Sequence, residues 1–522
     1  MSSLADDIRA ALRLGAADPF LTTARLSATA QWGPGIGAMV AAAALRFPTR
    51  PAIVDGQGSI QYCQLDRRAT NLAALLRRND EGTVAILCRN HRGFVLGQVA
   101  AERAGRDVVL MSTALPASKL REVLDREQVA TLIADDEFVP LIEQCGADVD
   151  VLPAEGDGPD SIWALSATSR LCALPRRRSR LVLLTSGTTG PPKGARRHNR
   201  APRARDASLL ASIPYQLGDT FLVAPPLFHA WGLSQATVAM ATASTLVLRR
   251  RFDAADVVDL LRHQHVDVLA VVPLMLRRIL TKADGVDGLH APRIVASSGN
   301  VLQGSLAVAW MDRFGDHLYN LYGSTEAAIG TIAGPDELRR FPGTVGRPPR
   351  GVTLSILDER GMPVPVGRSG RVHLSNSMQF SGYTDGSDGD RAGTLLATGD
   401  LGYVDVEGNL HVNGRANDMI VTGGENVFPS MVEEVLEQLP SIDVSAVVGV
   451  EDEEYGQRVV AFVVPHDRRR SLDIEAVRSA VAAELPAFMV PREIVTVEAL
   501  PMTTTGKVIR HRLATLGDAA RY

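Results

Sequence analysis

A short polar segment, Thr185–Ala195 (TSGTTGPPKGA), combines the residue types that bind phosphate groups. It follows the apolar run Leu181–Leu184 and contains hydroxyl side chains, three glycines and Lys193. Glycines let backbone N–H groups turn toward an anion, hydroxyls add donors, and the ammonium adds positive charge. The spacing differs from the common nucleotide loop, GxxxxGK followed by Ser or Thr, because Lys193 is followed by Gly194. The segment predicts a phosphate-binding loop and disfavours an ordinary P-loop NTPase; a flexible surface loop is the alternative without function.

Further segments carry groups that suit a nucleotide and its reaction. Tyr322–Glu326 (YGSTE) offers a ring for stacking on a base and, in Glu326, an oxygen ligand for Mg²⁺. Asp400, in a Thr-Gly-Asp turn, suits pairing with ribose hydroxyls, and His229 follows a strand-like run. Lys507 lies in a polar loop near the C-terminus. Taken singly, each has a structural interpretation: a core tyrosine, a turn aspartate and a buried structural histidine.

The composition is that of a globular protein with more than one domain. The chain has 522 residues, of which 45% are hydrophobic and 22% charged, which is enough for two or three domains. No apolar run approaches the roughly 18 residues of a membrane span, and Ala38–Leu45 is too short for a signal peptide. Four scattered cysteines without a CxxC pair predict a reducing cytoplasm and neither a disulfide framework nor a zinc site. We therefore expect a cytoplasmic protein without a nucleic-acid partner.

Positive charge is concentrated around the polar segment. Residues 161–205 contain ten arginines and Lys193 but no Asp or Glu, whereas the whole chain has a net charge of −4. Such a segment attracts polyanions such as ATP or coenzyme A, or contacts an anionic membrane surface peripherally. A solvated Arg-rich face is the alternative, and both interpretations stay open. Only four lysines occur, and two of them, Lys193 and Lys507, lie beside glycines in loops, which indicates a need for an ammonium there.

Elements that would position these groups follow from the hydrophobic pattern. Helical and strand patterns alternate through the first half of the chain, which predicts an α/β fold with parallel strands and ligands at their carboxyl ends. After about residue 345, short strands and dense turns predict a smaller β-rich subdomain. A final α+β unit begins near Gly414. The predicted strands are Thr83–Leu87, Asp107–Leu110, Thr220–Val223, Val266–Val272, Arg293–Ser297, Thr353–Leu357, Gly370–Leu374, Val444–Val450 and Val459–Val464, and the predicted helices are Gln64–Arg78, Lys119–Asp125, Ser430–Gln438 and Ile474–Leu485.

The order and spacing of these motifs resemble the adenylate-forming superfamily, which includes acyl-CoA synthetases, adenylation domains of peptide synthetases and beetle luciferases. Bacterial fatty-acyl-CoA synthetases are the most similar group, and the resemblance extends from about residue 30 to Leu513. It implies a large N-terminal α/β domain, residues 1–413, with stacked sheets and a β-rich subdomain. It also implies a small mobile α+β domain, residues 414–522. The implied reaction has two steps: a carboxylate and ATP form an acyl-adenylate, and a thiol then displaces AMP.

The resemblance also implies roles for individual residues. It assigns the β- and γ-phosphates to Thr185, Ser186, Gly187, Thr188, Thr189 and Lys193, the adenine and acyl pocket to Ser298, Gly299 and Asn300, the adenine and α-phosphate to Tyr322, Gly323 and Thr325, and the ribose to Asp400 and Arg415. It assigns catalysis to Lys507, Glu326 and His229, Mg²⁺ binding to Glu326, a hinge to Asn417, the coenzyme A channel to Gly423 and Gly424, and an acyl gate to Trp231. This chain departs from the family at two places. Many relatives have Gly-Ala-Pro where this chain has Gly299-Asn300, and many have Asp or Lys at the hinge, where this chain has Asn417. Trp231 could equally be a packed core residue.

The expected acid is a medium- or long-chain fatty acid, with ATP, Mg²⁺ and coenzyme A as the other participants. His229 stands where amino-acid-activating relatives usually have an Asp, which argues against amino acids. The small residues Gly299, Ala327, Ala328 and Gly330 are expected to leave room for an alkyl chain, and Val271, Val272, Leu274 and Met275 to line it. Two alternatives stay open: a fatty-acyl-AMP ligase that delivers the acyl group to a carrier protein, and a non-catalytic nucleotide- or acyl-binding homologue.

Overall fold

The computed structural model describes residues 4–77, 82–185, 193–198, 211–467, 471–503 and 506–519. The strands are β1 Pro51–Asp55, β2 Gly58–Gln61, β3 Thr83–Leu87, β4 Val108–Leu110, β5 Val129–Ala134, β6 Asp150–Pro153, β7 Arg180–Thr185, β8 Lys193–His198, β9 Thr220–Val223, β10 Thr245–Val247, β11 Val268–Val271, β12 Ile294–Ser297, β13 Leu318–Ser324, β14 Ala328–Ala333, β15 Thr353–Leu357, β16 Gly370–Ser375, β17 Arg391–Ala392, β18 Leu395–Val404, β19 Leu410–Arg415, β20 Ile420–Thr422, β21 Glu425–Val427, β22 Ile442–Asp452, β23 Gly456–Pro465 and β24 Glu493–Thr496. The helices are Leu4–Arg13, Pro19–Trp32, Ile36–Arg46, Tyr62–Leu76, Arg92–Ala104, Ala117–Arg126, Val139–Cys145, Ile162–Leu165, Ala230–Ala241, Ala254–His263, Pro273–Lys282, Gly304–Phe314, Pro335–Arg340, Pro429–Gln438, Ile474–Glu484 and Arg510–Ala519, with 3₁₀ turns at Asp136–Phe138, Ala416–Asp418 and Ala487–Met489.

Two largely parallel sheets form the first part of the described chain. One has eight strands in the order β14-β13-β12-β11-β9-β10-β1-β2, and the other has six in the order β6-β5-β3-β4-β7-β8. All four residues of β11 are buried, as expected for a parallel strand covered on both faces. One apolar core joins the two sheets, and every residue of helix Arg92–Ala104 within it is buried. The predicted α/β class with stacked sheets is therefore confirmed.

Two smaller sheets follow. In the described residues, β15 to β19 form an antiparallel five-stranded sheet in which β19 pairs with β18, which matches the predicted β-rich subdomain. Strands β20 to β24 form the last sheet, packed with helices Pro429–Gln438 and Ile474–Glu484 as an α+β unit. The hairpin β22–β23 is longer than predicted because its ladder continues through polar pairs to Asp452 and Gly456, and backbone hydrogen bonding needs no apolar side chains.

The division between residues 413 and 414 stays a prediction. It falls within β19, whose pairing with β18 runs through Arg415, and the next strand begins at Ile420. None of the helices in the described ranges is long and apolar enough to cross a membrane.

Some residues of the Arg-rich segment form contacts within the molecule. Arg177 and Arg180 each bind the Asp107 carboxylate at 2.8 Å. Arg197 is half-buried, and its Nη2 donates to the Thr325 carbonyl at 2.5 Å, next to Glu326 of the predicted nucleotide site. Arg177 and Arg180 keep about half of their side-chain surface exposed, 51% and 46%, so the solvated-face and polyanion-surface interpretations stay predictions.

Candidate nucleotide and acyl site

The predicted phosphate loop joins two antiparallel strands. Thr185 ends β7, Lys193 begins β8, and the two residues are partners in the ladder. The Lys193 ammonium lies 3.5 Å from Asp385 Oδ2, 3.3 Å from the Ser387 hydroxyl and 5.1 Å from the centre of the Tyr383 ring. Ser186, Gly187, Thr188 and Thr189 lie outside the described residues. Lys193 therefore lies in the six-stranded sheet and contacts the β-rich subdomain. Its contact with a phosphate stays a prediction.

The predicted ribose clamp is a cross-strand pair. Asp400 in β18 and Arg415 in β19 are direct partners in the antiparallel register, and Arg415 Nε lies 3.0 Å from Asp400 Oδ1. Arg415 Nη1 also donates to the Thr398 carbonyl at 3.0 Å. Since strand pairing sets both backbone positions, the sheet brings these two predicted residues together without a ligand.

Tyr322 supports the same carboxylate. It lies in β13, and its hydroxyl donates to Asp400 Oδ2 at 2.6 Å, 3.0 Å from the Thr398 hydroxyl. Burial, and then the Asp400 charge, raises the pKa of Tyr322 well above its ordinary value, so the phenol stays protonated as a donor. Gly323 follows it, and a Cβ there would collide with the Ala328 carbonyl, 1.9 Å away. The hydroxyl contact is new information, while stacking of the ring on adenine stays a prediction.

Glu326 lies between two residues that the sequence analysis missed. The Tyr383 hydroxyl donates to Glu326 Oε1 at 2.9 Å, and Arg197 is close enough for its charge to interact with this carboxylate. Burial lowers the pKa of Arg197, and its Nε is buried without a hydrogen-bond partner among the described residues. Tyr383 and Glu326 are 57 positions apart, and Arg197 lies 128 positions before Thr325, whose carbonyl it binds, so no local pattern predicts these contacts.

The donor set at Glu326 fits a magnesium–nucleotide complex. A carboxylate oxygen is the ligand type that Mg²⁺ prefers, with phosphate oxygens and water completing its coordination. The unpartnered Nε of Arg197 beside this carboxylate is a buried donor that an anionic ligand would satisfy. Glu326 is therefore the residue that would hold the ion.

The carboxyl ends of β11 and β12 meet beside the predicted acyl pocket. The Val271 carbonyl accepts from the Trp231 indole N–H at 2.8 Å and from the Ser298 backbone N–H at 3.4 Å. Gly299 adopts a left-handed φ of +92°, and a Cβ there would lie 3.5 Å from the Val272 side chain. Opening Trp231 as a gate would break its hydrogen bond, so the gating role, which stays a prediction, carries that cost.

Two of the four small residues, Ala327 and Gly330, do not provide the space expected of them, and the role of Gly299 and Ala328 stays a prediction. A Cβ on Gly330 would lie 2.4 Å from a Leu374 methyl group, and Ala327 is buried in a cluster with Leu374 and Phe380. Met275 is buried in the core of the large sheet, and Leu274 packs against Gly506 of the C-terminal unit. Small side chains here admit close packing by neighbouring apolar groups, so residue size alone was a poor guide to an open tunnel.

His229 is held as an uncharged imidazole. It precedes helix Ala230–Ala241, its backbone N–H donates to the Pro226 carbonyl at 3.1 Å, and its ring lies 4.6 Å from that of Phe228. Burial lowers the pKa of His229 from 6.5 to about 4, because the surroundings solvate the imidazolium poorly. The imidazole is uncharged at neutral pH, so it does not replace the Asp carboxylate that amino-acid-activating relatives usually have here. This agrees with the expectation that the substrate is not an amino acid.

This lowered pKa predicts acid sensitivity of the fold. Below pH 6.5 the unfolded chain protonates His229 while the folded chain does not, so stability falls as the pH drops toward about 4. The total loss is about 3 kcal/mol. Urea unfolding at a series of pH values measures this loss. Between pH 6.5 and about 4, the free energy of unfolding of His229→Gln should fall by about 3 kcal/mol less than that of the parent. The exposed His265→Gln serves as the control, and identical pH profiles of His229→Gln and the parent would contradict the prediction.

Lys507 lies within electrostatic reach of the ribose clamp. Its pKa is lowered by burial and then by the positive charge of Arg415, while Asp418 and Asp400 oppose the change. The turn that carries it is closed by hydrogen bonds between Thr503 and Lys507, including Thr503 N–H to the Lys507 carbonyl at 2.8 Å. The charges of Lys507, Asp400 and Arg415 are thus close enough to influence one another.

Asn300 and Asn417 border the same junction. The Asn300 side-chain amide donates to the Gly506 carbonyl at 3.5 Å, next to Lys507. Asn417 lies in the 3₁₀ turn Ala416–Asp418, immediately after Arg415. Its position between two sheets is compatible with the hinge role, which stays a prediction.

Gly423 and Gly424 form the turn between β20 and β21. Both have left-handed φ angles, +58° and +85°, as a two-residue hairpin requires. The hairpin lines a cavity of about 200 Å³ together with Phe488 and Arg492. The Gly423 N–H donates to the Tyr455 carbonyl, a contact within the C-terminal unit. The role of this turn in a coenzyme A channel stays a prediction.

One buried group of potential metal ligands occurs in the described residues. Cys88, His91 and Asp135 follow β3 and β5, with their ligand atoms within 4.8 Å of one another. His91 Nδ1 accepts from the Gly93 N–H, so Nε2 carries the proton that it donates to Asp135 at 2.7 Å. Burial keeps the Cys88 thiol protonated by raising its pKa. In this arrangement His91 caps helix Arg92–Ala104 and forms a buried pair with Asp135.

Comparison with known proteins identifies the chain. Residues 40–384 match the AMP-binding enzyme family, and residues 431–507 match the AMP-binding enzyme C-terminal domain. The chain belongs to the AMP-binding enzyme family. This AMP-binding enzyme resembles ATP-bound MatB from Rhodopseudomonas palustris with a TM-score of 0.81 and 26% identity, covering 92% of this chain and 99% of that one. The suspected adenylate-forming superfamily is confirmed.

Similar relatives of this AMP-binding enzyme act on different acids and acceptors. It is 29% identical over 484 residues to indoleacetate–CoA ligase from Aromatoleum aromaticum, covering 89% of this chain and 93% of the relative. It is also 29% identical over 502 residues to the fatty acid–[acyl-carrier-protein] ligase ScoC of Streptomyces coeruleorubidus, covering 91% and 95%. These similarities support adenylate-forming acid–thiol ligation with ATP, and leave the acid and the acceptor undecided.

Proposed function

We propose that this AMP-binding enzyme activates a medium- or long-chain fatty acid with ATP and transfers the acyl group to coenzyme A. The products are acyl-CoA, AMP and pyrophosphate. The observation that carries the proposal is that the turn with Lys507 contacts the N-terminal part, where Asn300 donates to the Gly506 carbonyl at 3.5 Å, within electrostatic reach of the Asp400–Arg415 pair. This arrangement supports an ammonium near the part of the site suited to a ribose and its α-phosphate.

In the first step, a carboxylate oxygen of the acid forms a bond to the α-phosphorus of ATP. The bond from that phosphorus to the oxygen bridging the β-phosphorus breaks, and pyrophosphate leaves. Two anions must meet, so positive charge at the reacting atoms lowers the barrier. Lys507 supplies it at the carboxylate and α-phosphate, while Arg197 and Lys193 suit the departing phosphates. Mg²⁺ bound through Glu326 would neutralise phosphate charge.

In the second step, the thiol sulfur of coenzyme A attacks the acyl carbonyl carbon. The bond from this carbon to the phosphate oxygen breaks, AMP leaves with the electron pair, and the thiol proton passes to the solvent. Lys507 occupies the approach to the reacting carbonyl, so it has to withdraw before the thiol enters. Rotation of the C-terminal unit about Asn417 provides that withdrawal.

The choice of a fatty acid rests on the acyl side of the site. A neutral His229 offers no charge for a polar substituent of the acid, and Trp231, Val271 and Val272 supply apolar surface. Delivery to a carrier protein is the second candidate, because one relative with 29% identity is a fatty acid–[acyl-carrier-protein] ligase.

A substrate panel tests the proposal. ATP–pyrophosphate exchange should appear with fatty acids of medium or long chain and be weaker with acetate, indoleacetate and succinylbenzoate. Exchange that is strongest with an aromatic acid would overturn the fatty-acid assignment, and the lack of exchange with every carboxylate would overturn adenylation itself. Adding coenzyme A should yield acyl-CoA, whereas accumulation of acyl-adenylate until a carrier protein is added would support the second candidate.

A further inference from the structure

Arg277 forms a junction between the large N-terminal part and the C-terminal unit. It lies in helix Pro273–Lys282, at the carboxyl end of β11. Its Nη2 donates to Gln303 Oε1 at 2.8 Å on the same side, and also forms an ion pair with the Glu437 carboxylate across the junction. Its Nη1 donates to the Asp443 carbonyl at 2.7 Å. We call Arg277, Gln303, Glu437 and the Asp443 carbonyl the Arg277 junction.

Glu437 is built to receive this arginine. Its side chain is only 6% exposed, and its Oε1 accepts from the Ser445 backbone N–H at 3.0 Å. Burial raises its pKa despite the Arg277 charge, so water would solvate this carboxylate better than the interface does. The Arg277–Glu437 ion pair therefore contributes little to the net free energy of the interface. Removing Arg277 would nevertheless cost free energy, because it would leave a buried carboxylate without its ion-pair partner. That penalty exists only while the two parts are in contact.

One helix connects the junction to Lys507. Glu437 lies in Pro429–Gln438, and one turn earlier Glu433 receives both terminal nitrogens of Arg510, at 2.6 and 3.1 Å. Arg510 Nη1 also donates to the Val447 carbonyl at 2.6 Å. Arg510 begins the last helix, three residues after Lys507, and its charge contributes to the environment of that ammonium. The position of this helix therefore determines where Lys507 lies.

We propose that Arg277 is a positioning residue that holds the C-terminal unit in the adenylating arrangement and thereby selects between the two half-reactions. This inference rests on the proposed function, because it requires Lys507 to be present in one step and withdrawn in the other. The contacts at the Arg277 junction exist in the same arrangement as the contact of Asn300 with the Gly506 carbonyl, next to Lys507. They bias the equilibrium toward that arrangement by their differential free energy.

The test measures the two half-reactions separately in Arg277→Ala. We expect ATP–pyrophosphate exchange to fall by roughly 10- to 100-fold, as for truncation of one partner of a buried ion pair, while thiol transfer from supplied acyl-adenylate is unchanged or faster. Arg278→Ala is the matched control, since Arg278 is the next residue of the same helix and is exposed. Equal losses in both half-reactions, or unchanged exchange, would overturn the proposal.

A double variant separates positioning from simple damage. Arg277→Ala with Glu437→Ala leaves no unpaired carboxylate at the interface, so it should catalyse exchange faster than Arg277→Ala alone. A misfolded protein would lose activity further on the second substitution. An exchange rate below that of the single variant would count against the junction.

A distance measurement tests the junction without catalysis. Spin labels at Arg278→Cys and Gln438→Cys, with Cys63 and Cys172 replaced by serine, should give one short distance when Arg277 is present. Arg277→Ala should add a second, longer population. An unchanged distance distribution would overturn the junction, whereas a parent protein inactive with every carboxylate would overturn only the proposed reaction.

Discussion

Lys507→Ala should lose adenylation and keep thiol transfer. Without the ammonium, the carboxylate and the α-phosphate approach each other with less charge neutralised, and loss of one such preorganised donor typically lowers a rate by roughly 10²–10³. ATP–pyrophosphate exchange with the best acid of the panel should fall by this amount. Supplied acyl-adenylate and coenzyme A should still yield acyl-CoA at close to the parent rate, because Lys507 has withdrawn in that step.

The matched control is Lys282→Ala, which removes an exposed lysine at the end of helix Pro273–Lys282. Its two half-reactions should be unchanged. Comparable losses of both half-reactions in Lys507→Ala would show that the residue supports the fold or the binding of the adenylate in general, and the assigned role would be abandoned.

Glu326→Gln should raise the magnesium concentration needed for half-maximal exchange and lower the maximal rate by roughly 10². The amide keeps the shape of the carboxylate and an acceptor for the Tyr383 hydroxyl, but it is a poorer ligand for Mg²⁺. It also leaves the half-buried Arg197 without the nearby negative charge. A magnesium titration of the exchange rate measures both effects.

Tyr383→Phe distinguishes binding of Mg²⁺ by the Glu326 carboxylate from the hydrogen bond that supports this carboxylate. This variant keeps the charge of Glu326 and removes one hydrogen bond of 2.9 Å, so its exchange rate should fall by tenfold or less, about 1 kcal/mol. Exposed Glu359→Gln should behave like the parent. If Glu326→Gln shows the parent's magnesium dependence, this residue does not hold the ion.

The parts of the molecule that were predictable are those with a local cause. Strands Thr83–Leu87, Thr220–Val223 and Thr353–Leu357 have the bounds expected from their apolar runs and flanking turns. Asp400 and Arg415 were named from their motifs, and strand pairing alone brings them together. Such features depend on residues near in sequence or on a single ladder, so a pattern can reveal them.

The parts that were missed depend on distant partners. Arg177 and Arg180 read as free positive charge because their partner, Asp107, lies about 70 residues earlier, outside the charge-rich segment. The contacts of Arg277 with Glu437 join residues 160 positions apart. Side-chain size was also a poor guide, since Gly330 of the eight-stranded sheet makes room for Leu374 of the β-rich sheet. Tertiary packing decides these contacts, and a single sequence carries no record of it.

The strand that carries Arg415 has a consequence for product release. β19 presents Arg415 to Asp400 and then continues directly into the turn that contains Asn417. A nucleotide held by this pair and the orientation of the C-terminal unit are then linked equilibria that share one short piece of backbone. By thermodynamic reciprocity, if AMP favours one orientation, that orientation favours AMP to the same degree. Discharge of the spent nucleotide and resetting for the next cycle would then be a single event.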